Sequence, residues 1–403
     1  MNGLSELDYI ALEDQYNAHN YKPLDVVIAE AEGPWVWDVE GRKYLDCLSA
    51  YSAVNQGHRH PRIVQTMIDQ AQRLALTSRA FRNDQLPLLA KELCELVGYE
   101  KMLPMNSGTE AVETALKAAR KWGYQVKGVA DGRAEIIACT GNFHGRTITV
   151  LSCSQSEQYR DGFGPFTPGF KLVPYGDAGA LERAITANTV GFLFEPVQGE
   201  GGVVVPPRGY LRDVREVCTD HNVLMIADEI QSGLGRTGKL LACEHEGVKP
   251  DVVTLGKALS GGMYPVSAVL SSREVLGVFE PGDHGSTFGG NPLACAVARE
   301  ALKVIVEEDL CQRSKELGEY LMSRLRAIES PHVRLYRGKG LFAGIVLNPE
   351  AGGARRFCEA LRERGVLAKD THGNVIRLAP PLVITREELD WMVDRLEDVL
   401  MMA

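Results

Sequence analysis

The chain reads as an α/β protein, with a large, doubly wound, mostly parallel sheet domain followed by a smaller α/β C-terminal domain. Three observations predict this. Between residues 135 and 270, short apolar, β-branched runs at 135–139, 171–173, 190–194, 223–227, 252–255 and 266–270 alternate with stretches of helical periodicity. That alternation is the pattern of parallel strands joined by crossover helices. A Gly/Pro-rich stretch at 281–292 then interrupts it, and beyond lie a long helical pattern, 293–328, and shorter segments including 341–347 and 375–379. A length of 403 residues suits roughly two cores.

Each element that carries chemistry can be justified in chain order. Asn106-Ser107-Gly108-Thr109 opens a helix whose apolar residues Ala111, Val112, Ala115, Leu116, Ala119 and Trp122 recur at helical spacing. Ser107 and Glu110 form a capping box, so the helix begins there and its free N–H groups and dipole could hold a phosphate. The run 222–227 reads as a buried strand ending in Asp228-Glu229, and 252–255 as another ending in Gly256-Lys257. Ligands of open α/β sheets bind beyond the carboxyl ends of strands. A lysine there is either a Schiff-base former with a pKa depressed by desolvation or a snorkelling loop residue. An acid and a lysine at two strand ends fit pyridoxal 5′-phosphate, with Lys257 binding the aldehyde and Asp228 pairing with the pyridinium nitrogen.

Two nucleotide-like patterns fail. Gly233-Leu-Gly-Arg-Thr-Gly-Lys239 fits both G-x-G-x-x-G and the start of a P-loop, but position 240 is leucine where Ser or Thr is needed, and 240–250 is too short for the required helix. His58 and His60 form an H-x-H beside Pro61 with no third ligand evident, so no metal is expected.

Composition excludes other classes. The net charge of −9 argues against a nucleic-acid footprint, which needs clustered positive charge. No apolar run approaches a bilayer span, and the N-terminus MNGLSELDYIALEDQ is acidic where a targeting peptide would be basic. A cytoplasmic location is expected. The nine cysteines are scattered without a C-x-x-C pair and read as reduced, buried, small apolar residues.

The segments YNAHNY (16–21), YSAVNQGH (51–58), LPMNSGTEA (103–111), DGFGPFTPGF (161–170), EPVQGEGGVVVP (195–206), ADEIQSGLGRTG (227–238), LGKALSGGMYPVSAVL (255–270), HGSTFGGNP (284–292) and IRLAPPLVI (376–384) together resemble the class III, fold-type I pyridoxal-phosphate aminotransferases over nearly the whole chain. The resemblance implies a large cofactor-binding domain at 55–292 and a small domain at 293–403, with 1–54 packing against the small one. It also implies a homodimer or a higher oligomer of dimers. It assigns the cofactor to Ser107, Gly108, Thr109, Phe143, Asp228, Gln231, Lys257 and Thr287, the last reaching the phosphate from the neighbouring subunit.

The same resemblance assigns the substrates to Tyr21, Tyr51, Arg146, Glu200 and Arg377. The two tyrosines match the ornithine-using branch, which implies transfer of the δ-amino group of L-ornithine to 2-oxoglutarate. Tyr21 and Arg146 would hold the α-amino and α-carboxylate groups, and Glu200 would mask Arg377 until the keto acid needs it. Ordinary readings stand beside these: core packing for Phe143, a surface ion pair for Arg146, a static salt bridge for Glu200 and Arg377. The segment F-H-G-R-T at 143–147 also resembles acetylornithine aminotransferases, and transamination of acetylornithine or 4-aminobutyrate is the alternative.

Overall fold

A computed structural model describes residues 4–402; Ala403 and the first three residues of the acidic N-terminal stretch lie outside the described residues. After a helix, Glu6–Tyr16, come three antiparallel strands, β1 (Ile28–Glu32), β2 (Trp35–Asp38) and β3 (Lys43–Asp46). Asp38 makes the turn between the last two, its Oδ1 accepting from the N–H of Glu40 and Arg42 at 3.0 and 2.8 Å.

The central sheet holds β4 (Lys101–Met105), β5 (Glu135–Cys139), β6 (Phe170–Val173), β7 (Thr189–Phe194), β8 (Leu224–Asp228), β9 (Val252–Leu255) and β10 (Ser267–Ser271), in the order β4-β10-β9-β8-β7-β5-β6. All pairings from β9 to β6 are parallel, and β10 runs antiparallel to both its neighbours. Every residue of β7, β8 and β9 is buried, because helices cover both faces. Alternate side chains serve the two sides. Leu193, Ile226 and Val252 pack with Ala111, Ala115 and Ala119 of the helix Gly108–Trp122, while Phe192, Met225 and Val253 pack with Leu211 and Val214 of the helix Tyr210–Asp220.

A third sheet is built from β11 (Val333–Gly338), β12 (Ala343–Leu347), β14 (Lys369–Thr371) and β15 (Val375–Leu378), in the order β11-β12-β15-β14. Between them the short β13 (Val366–Leu367) leaves to pair in parallel with β3. The segment between the central and third sheets corrects the single helical pattern expected at 293–328. It forms two helices, Pro292–Glu307 and Leu310–Ala327, broken at Asp309, whose φ is +51°. The apolar periodicity runs on past the break, and Asp tolerates the left-handed conformation that makes it. Strand β4 was not foreseen. It contains Pro104, which cannot donate a ladder hydrogen bond, and it is tolerated because β4 is an edge strand. Among the described residues no helix is long and apolar enough to cross a membrane.

Candidate active site

The carboxyl ends of β8 and β9, the loop after β5 and the start of the helix Gly108–Trp122 meet around a cavity of about 180 Å³. Gly108, Thr109, Phe143, His144, Gly145, Glu195, Glu200, Asp228, Ile230, Gln231 and Lys257 line it. A larger outer cavity of about 620 Å³ adjoins it, sharing Phe143 and Glu200 and adding Tyr159 and His372.

Of the two acids that end β8, only Asp228 faces the cavity. Its Oδ1 accepts from Thr254 Oγ1 at 3.2 Å and the Ile230 N–H at 3.1 Å, and its Oδ2 lies 2.7 Å from His144 Nδ1. Glu229 turns the other way, accepting from Ser232 Oγ and the Cys243 N–H at 2.6 and 2.9 Å, and burial raises its pKa. Lys257 sits at a φ of +46°, a conformation costly for a non-glycine residue and met at functional sites. It keeps some exposure to the cavity, yet burial still depresses its ammonium pKa, against the opposing pull of Glu200 and Asp228. The snorkelling alternative is therefore set aside, since the amine points into the site.

The capping box expected at Ser107 and Glu110 forms. Ser107 Oγ accepts from the Glu110 N–H at 3.3 Å, and the Glu110 carboxylate accepts from the Ser107 N–H at 2.6 Å. Thr109 Oγ1 is buried with no hydrogen-bond partner. Gly145, at φ +123°, passes so close that a Cβ there would lie 2.2 Å from Thr109 Oγ1, so only glycine fits.

At the other end Arg377, on β15 and 1% exposed, donates from Nη1 to Glu200 Oε1 at 2.5 Å, while its Nε and Nη2 have no partner. Burial alone would raise the Glu200 pKa, but the charges of Arg377 and Lys257 together with its hydrogen bonds hold it low. Gln231 Nε2 donates to the Tyr51 carbonyl and Glu200 Oε1 at 3.3 and 3.4 Å, leaving its Oε1 unpaired. Tyr51 lies in a run of left-handed residues, Ser49 to Ser52, with its ring 4.8 Å from the Arg377 guanidinium. Asp46 Oδ1 steadies that run by accepting from the Leu48 and Ser49 N–H groups at 2.8 and 2.9 Å.

Three expected site residues stand apart in the single chain. Arg146 lines neither cavity and stacks on the ring of Tyr159 at 3.9 Å, not in a surface ion pair. Tyr21 is 71% exposed and lines neither cavity, though close enough to contribute, after burial and Glu200, to the raised pKa of Tyr51. Thr287 is exposed and also outside both. His58 and His60 diverge, pairing with Asp46 at 2.7 Å and Glu308 at 2.9 Å.

Sequence reasoning missed His144, Glu195 and Tyr159. His144 lay inside the quoted F-H-G-R, and its Nε2 is buried without a partner. Glu195 opens the quoted E-P-V-Q-G-E. One oxygen accepts from the Phe143 N–H at 2.9 Å and the other from the Gly199 N–H at 3.0 Å, and burial pushes its pKa up to about 7.

Unpaired buried atoms at Thr109, His144 and Gln231, a free helix N-terminus, a carboxylate and a pKa-depressed lysine match what pyridoxal phosphate presents. Its phosphate, ring nitrogen and aldehyde find an anion site, an acid and an amine in turn. The site thus defines a pyridoxal-phosphate enzyme. The family model described as aminotransferase class-III matches residues 16–400, and the chain belongs to that family. The chain is 59% identical over 389 residues to the ornithine aminotransferase of Bordetella pertussis, covering 96% of this chain and 94% of the relative. The crystal structure of ornithine aminotransferase from Toxoplasma gondii superposes with a TM-score of 0.97 at 46% identity, covering 98% of this chain and 95% of that one. Acetylornithine aminotransferase from Elizabethkingia anophelis superposes with a TM-score of 0.90 at 50% identity, covering 98% of this chain and 99% of that one.

Proposed function

We propose that this chain is an ornithine δ-aminotransferase, moving the δ-amino group of L-ornithine to 2-oxoglutarate. The products are L-glutamate and L-glutamate 5-semialdehyde, which cyclises to pyrroline-5-carboxylate. The observation that carries the reading is the Glu200–Arg377 pair at the mouth of the lysine cavity, in which the arginine keeps two unpaired donors. Arg236, buried as deeply, leaves only its Nε unmet, whereas Arg377 leaves two nitrogens unmet beside the cavity. Relatives at 57–59% identity are ornithine aminotransferases, which supports the same substrate.

When bound, pyridoxal phosphate supplies an aldehyde carbon for the amine and a ring that accepts electrons. Lys257 would hold that carbon, and its amine, freed by substrate, would carry a proton from the Cδ of ornithine. Asp228, oriented by His144 and Thr254, would keep the ring nitrogen protonated. Phe143 would cover the ring, Gln231 would face its phenolic oxygen, and Ser107, Gly108 and Thr109 would hold the phosphate. Glu200 would cover Arg377 while ornithine reacts and release it to the α-carboxylate of 2-oxoglutarate. Tyr21 and Tyr51 would receive the α-amino end of ornithine.

A homodimer in the cytoplasm completes the reading, with the partner supplying its own copy of Thr287 to the phosphate. Supporting it, Leu74, Leu76, Phe81 and Phe288 are exposed on neighbouring segments, joined where Asn83 donates to the Gly290 carbonyl at 3.1 Å. In this reading 55–292 is the cofactor-binding domain, and 1–54 moves with 293–403. Acetylornithine is the second reading, supported by the 50% identity to an acetylornithine enzyme. Parallel single-turnover reactions with ornithine, N-acetylornithine and 4-aminobutyrate, followed by the cofactor's visible absorbance, decide between them. Preference for either competitor over ornithine would reject the proposal.

A further inference from the structure

Arg146 is held in an unusual way for a residue expected to bind a carboxylate. Among the described residues it makes no ion pair and no hydrogen bond. Its contacts are aromatic. The guanidinium lies 3.9 Å from the centroid of Tyr159 and 5.5 Å from that of Phe143, and these two rings meet edge to face at 6.2 Å and 78°. A ring engages the face of a guanidinium, whereas a carboxylate engages the in-plane N–H groups of its edge. Stacking therefore restrains the side chain while leaving its donors free.

Tyr159 also lines the outer cavity, on the path from solvent to Phe143 and Glu200. It comes from a short helix, Glu157–Arg160, anchored by Arg160, whose Nη1 donates to the carbonyls of Leu151, Ser152 and Ser154 at 3.2–3.3 Å. Both substrates of the proposed reaction carry a carboxylate remote from the reacting carbon: the α-carboxylate of ornithine and the γ-carboxylate of 2-oxoglutarate. Arg377 serves the near carboxylate of the keto acid.

We propose that Tyr159 is a specificity-determining positioning residue, the platform that presents the edge of Arg146 to the remote carboxylate in both half-reactions. The inference rests on the ornithine reading and names a residue which that reading does not use. Tyr159 does not line the inner cavity that holds Lys257 and acts through Arg146.

The test uses the holoenzyme with Tyr159→Leu and Tyr159→Phe. Single-turnover rates are measured against concentration for ornithine, for 2-oxoglutarate, and for pyruvate, which lacks the remote carboxylate. In Tyr159→Leu the half-saturating concentrations of ornithine and 2-oxoglutarate rise by about three- to thirtyfold, the range a partly desolvated cation–π contact spans. Limiting rates and the pyruvate reaction stay as in the parent. Tyr159→Phe keeps the ring and behaves as the parent. The proposal is overturned if pyruvate reactivity falls in parallel, which would mean a general structural role. It is equally overturned if the Phe variant matches the Leu variant, making the hydroxyl the cause, or if the Leu variant is unchanged. Failure of the parent enzyme to react with ornithine would instead reject the underlying substrate reading, and this one with it.

Discussion

Arg236 and Arg377 are sealed from solvent to the same degree, at 0% and 1% exposure, and differ in what meets their donors. Arg236, in the loop after β8, spends both terminal nitrogens on neutral acceptors. Its Nη1 donates to the carbonyls of Leu341 and Pro380 at 2.8 and 2.6 Å, and its Nη2 to Asn55 Oδ1 at 2.6 Å. These contacts tie the loop after β8 to Asn55 and to the ends of the third sheet. Burial pushes its pKa down to about 9. Arg377 has one hydrogen-bond partner, Glu200, on one nitrogen, and its Nε and Nη2 have none, whereas Arg236 leaves only Nε unmet. Burial alone therefore does not single out the arginine proposed to bind substrate. Two unmet nitrogens beside the cavity do, because a buried unpaired donor is costly unless a ligand meets it.

The comparison separates groups whose loss should strike turnover from groups whose loss should strike stability. The largest effect belongs to Lys257, whose amine makes no hydrogen bond or ion pair among the described residues. Lys257→Ala should abolish transamination and leave the thermal unfolding midpoint near that of the parent. Near-parental turnover would remove the lysine from its proposed role. Asp228→Ala should come next. Losing one member of a buried charge pair costs roughly 3 to 5 kcal/mol, which in a rate is a slowing of roughly a hundredfold to several thousandfold. An unchanged rate of proton removal from Cδ, measured with deuterated substrate, would show that Asp228 does not face the ring nitrogen.

The two arginines test the contrast directly. Arg377→Ala should damage mainly the 2-oxoglutarate half-reaction, by the roughly 2 to 5 kcal/mol of a truncated charge pair. Glu200→Ala should slow the ornithine half and spare or speed the keto-acid half. Arg236→Ala should instead lower unfolding stability, by about 1 to 3 kcal/mol for each buried acceptor left unmet, while the ratio of the two half-reactions stays constant. Paired stopped-flow and denaturant titrations read both quantities. Parallel losses in both halves for the Arg377 and Glu200 variants would make that pair a static bridge, and the contrast would collapse.

A further effect is a pH dependence at Glu195, read in stability and not in turnover. Its folded pKa of about 7 lies above the ordinary 4.5, so the folded state binds the proton more tightly than the unfolded chain. Stability from this group is therefore greatest at acid pH, falls as pH rises between those two values, and is level above them. Glu195→Gln should remove that slope from the variant, so that the difference in unfolding midpoint between variant and parent changes with pH between about 4.5 and about 7. A difference that does not change with pH would place the Glu195 pKa near its ordinary value.

Most of the fold was legible because the central strands are buried on both faces. Val190 to Phe194 and Val252 to Leu255 need continuous apolar runs, and such runs are visible without a partner. Strand β4 and the helix break at Asp309 were hidden for the opposite reason. Pro104 is acceptable only because nothing pairs beyond that edge, and Asp309 turns left-handed without any change in apolar period.

By itself the sequence determined the parts of the site that rest on local geometry: the capping box at Ser107 and Glu110, Asp228 at the end of one buried strand and Lys257 two residues beyond another. Those placements depend on backbone rules that act within a few residues. Only the tertiary structure decided which partners those groups meet. Asp228 and not Glu229 faces the cavity, because the strand's alternation sends the second acid toward Ser232 and Cys243. His144 reaches Asp228 from 84 positions away, Arg377 reaches Glu200 from 177, and Glu195 ties the Phe143 loop to Gly199. These contacts are set by how packed elements converge, and pairing between segments so distant leaves no periodicity in the chain from which it could be read.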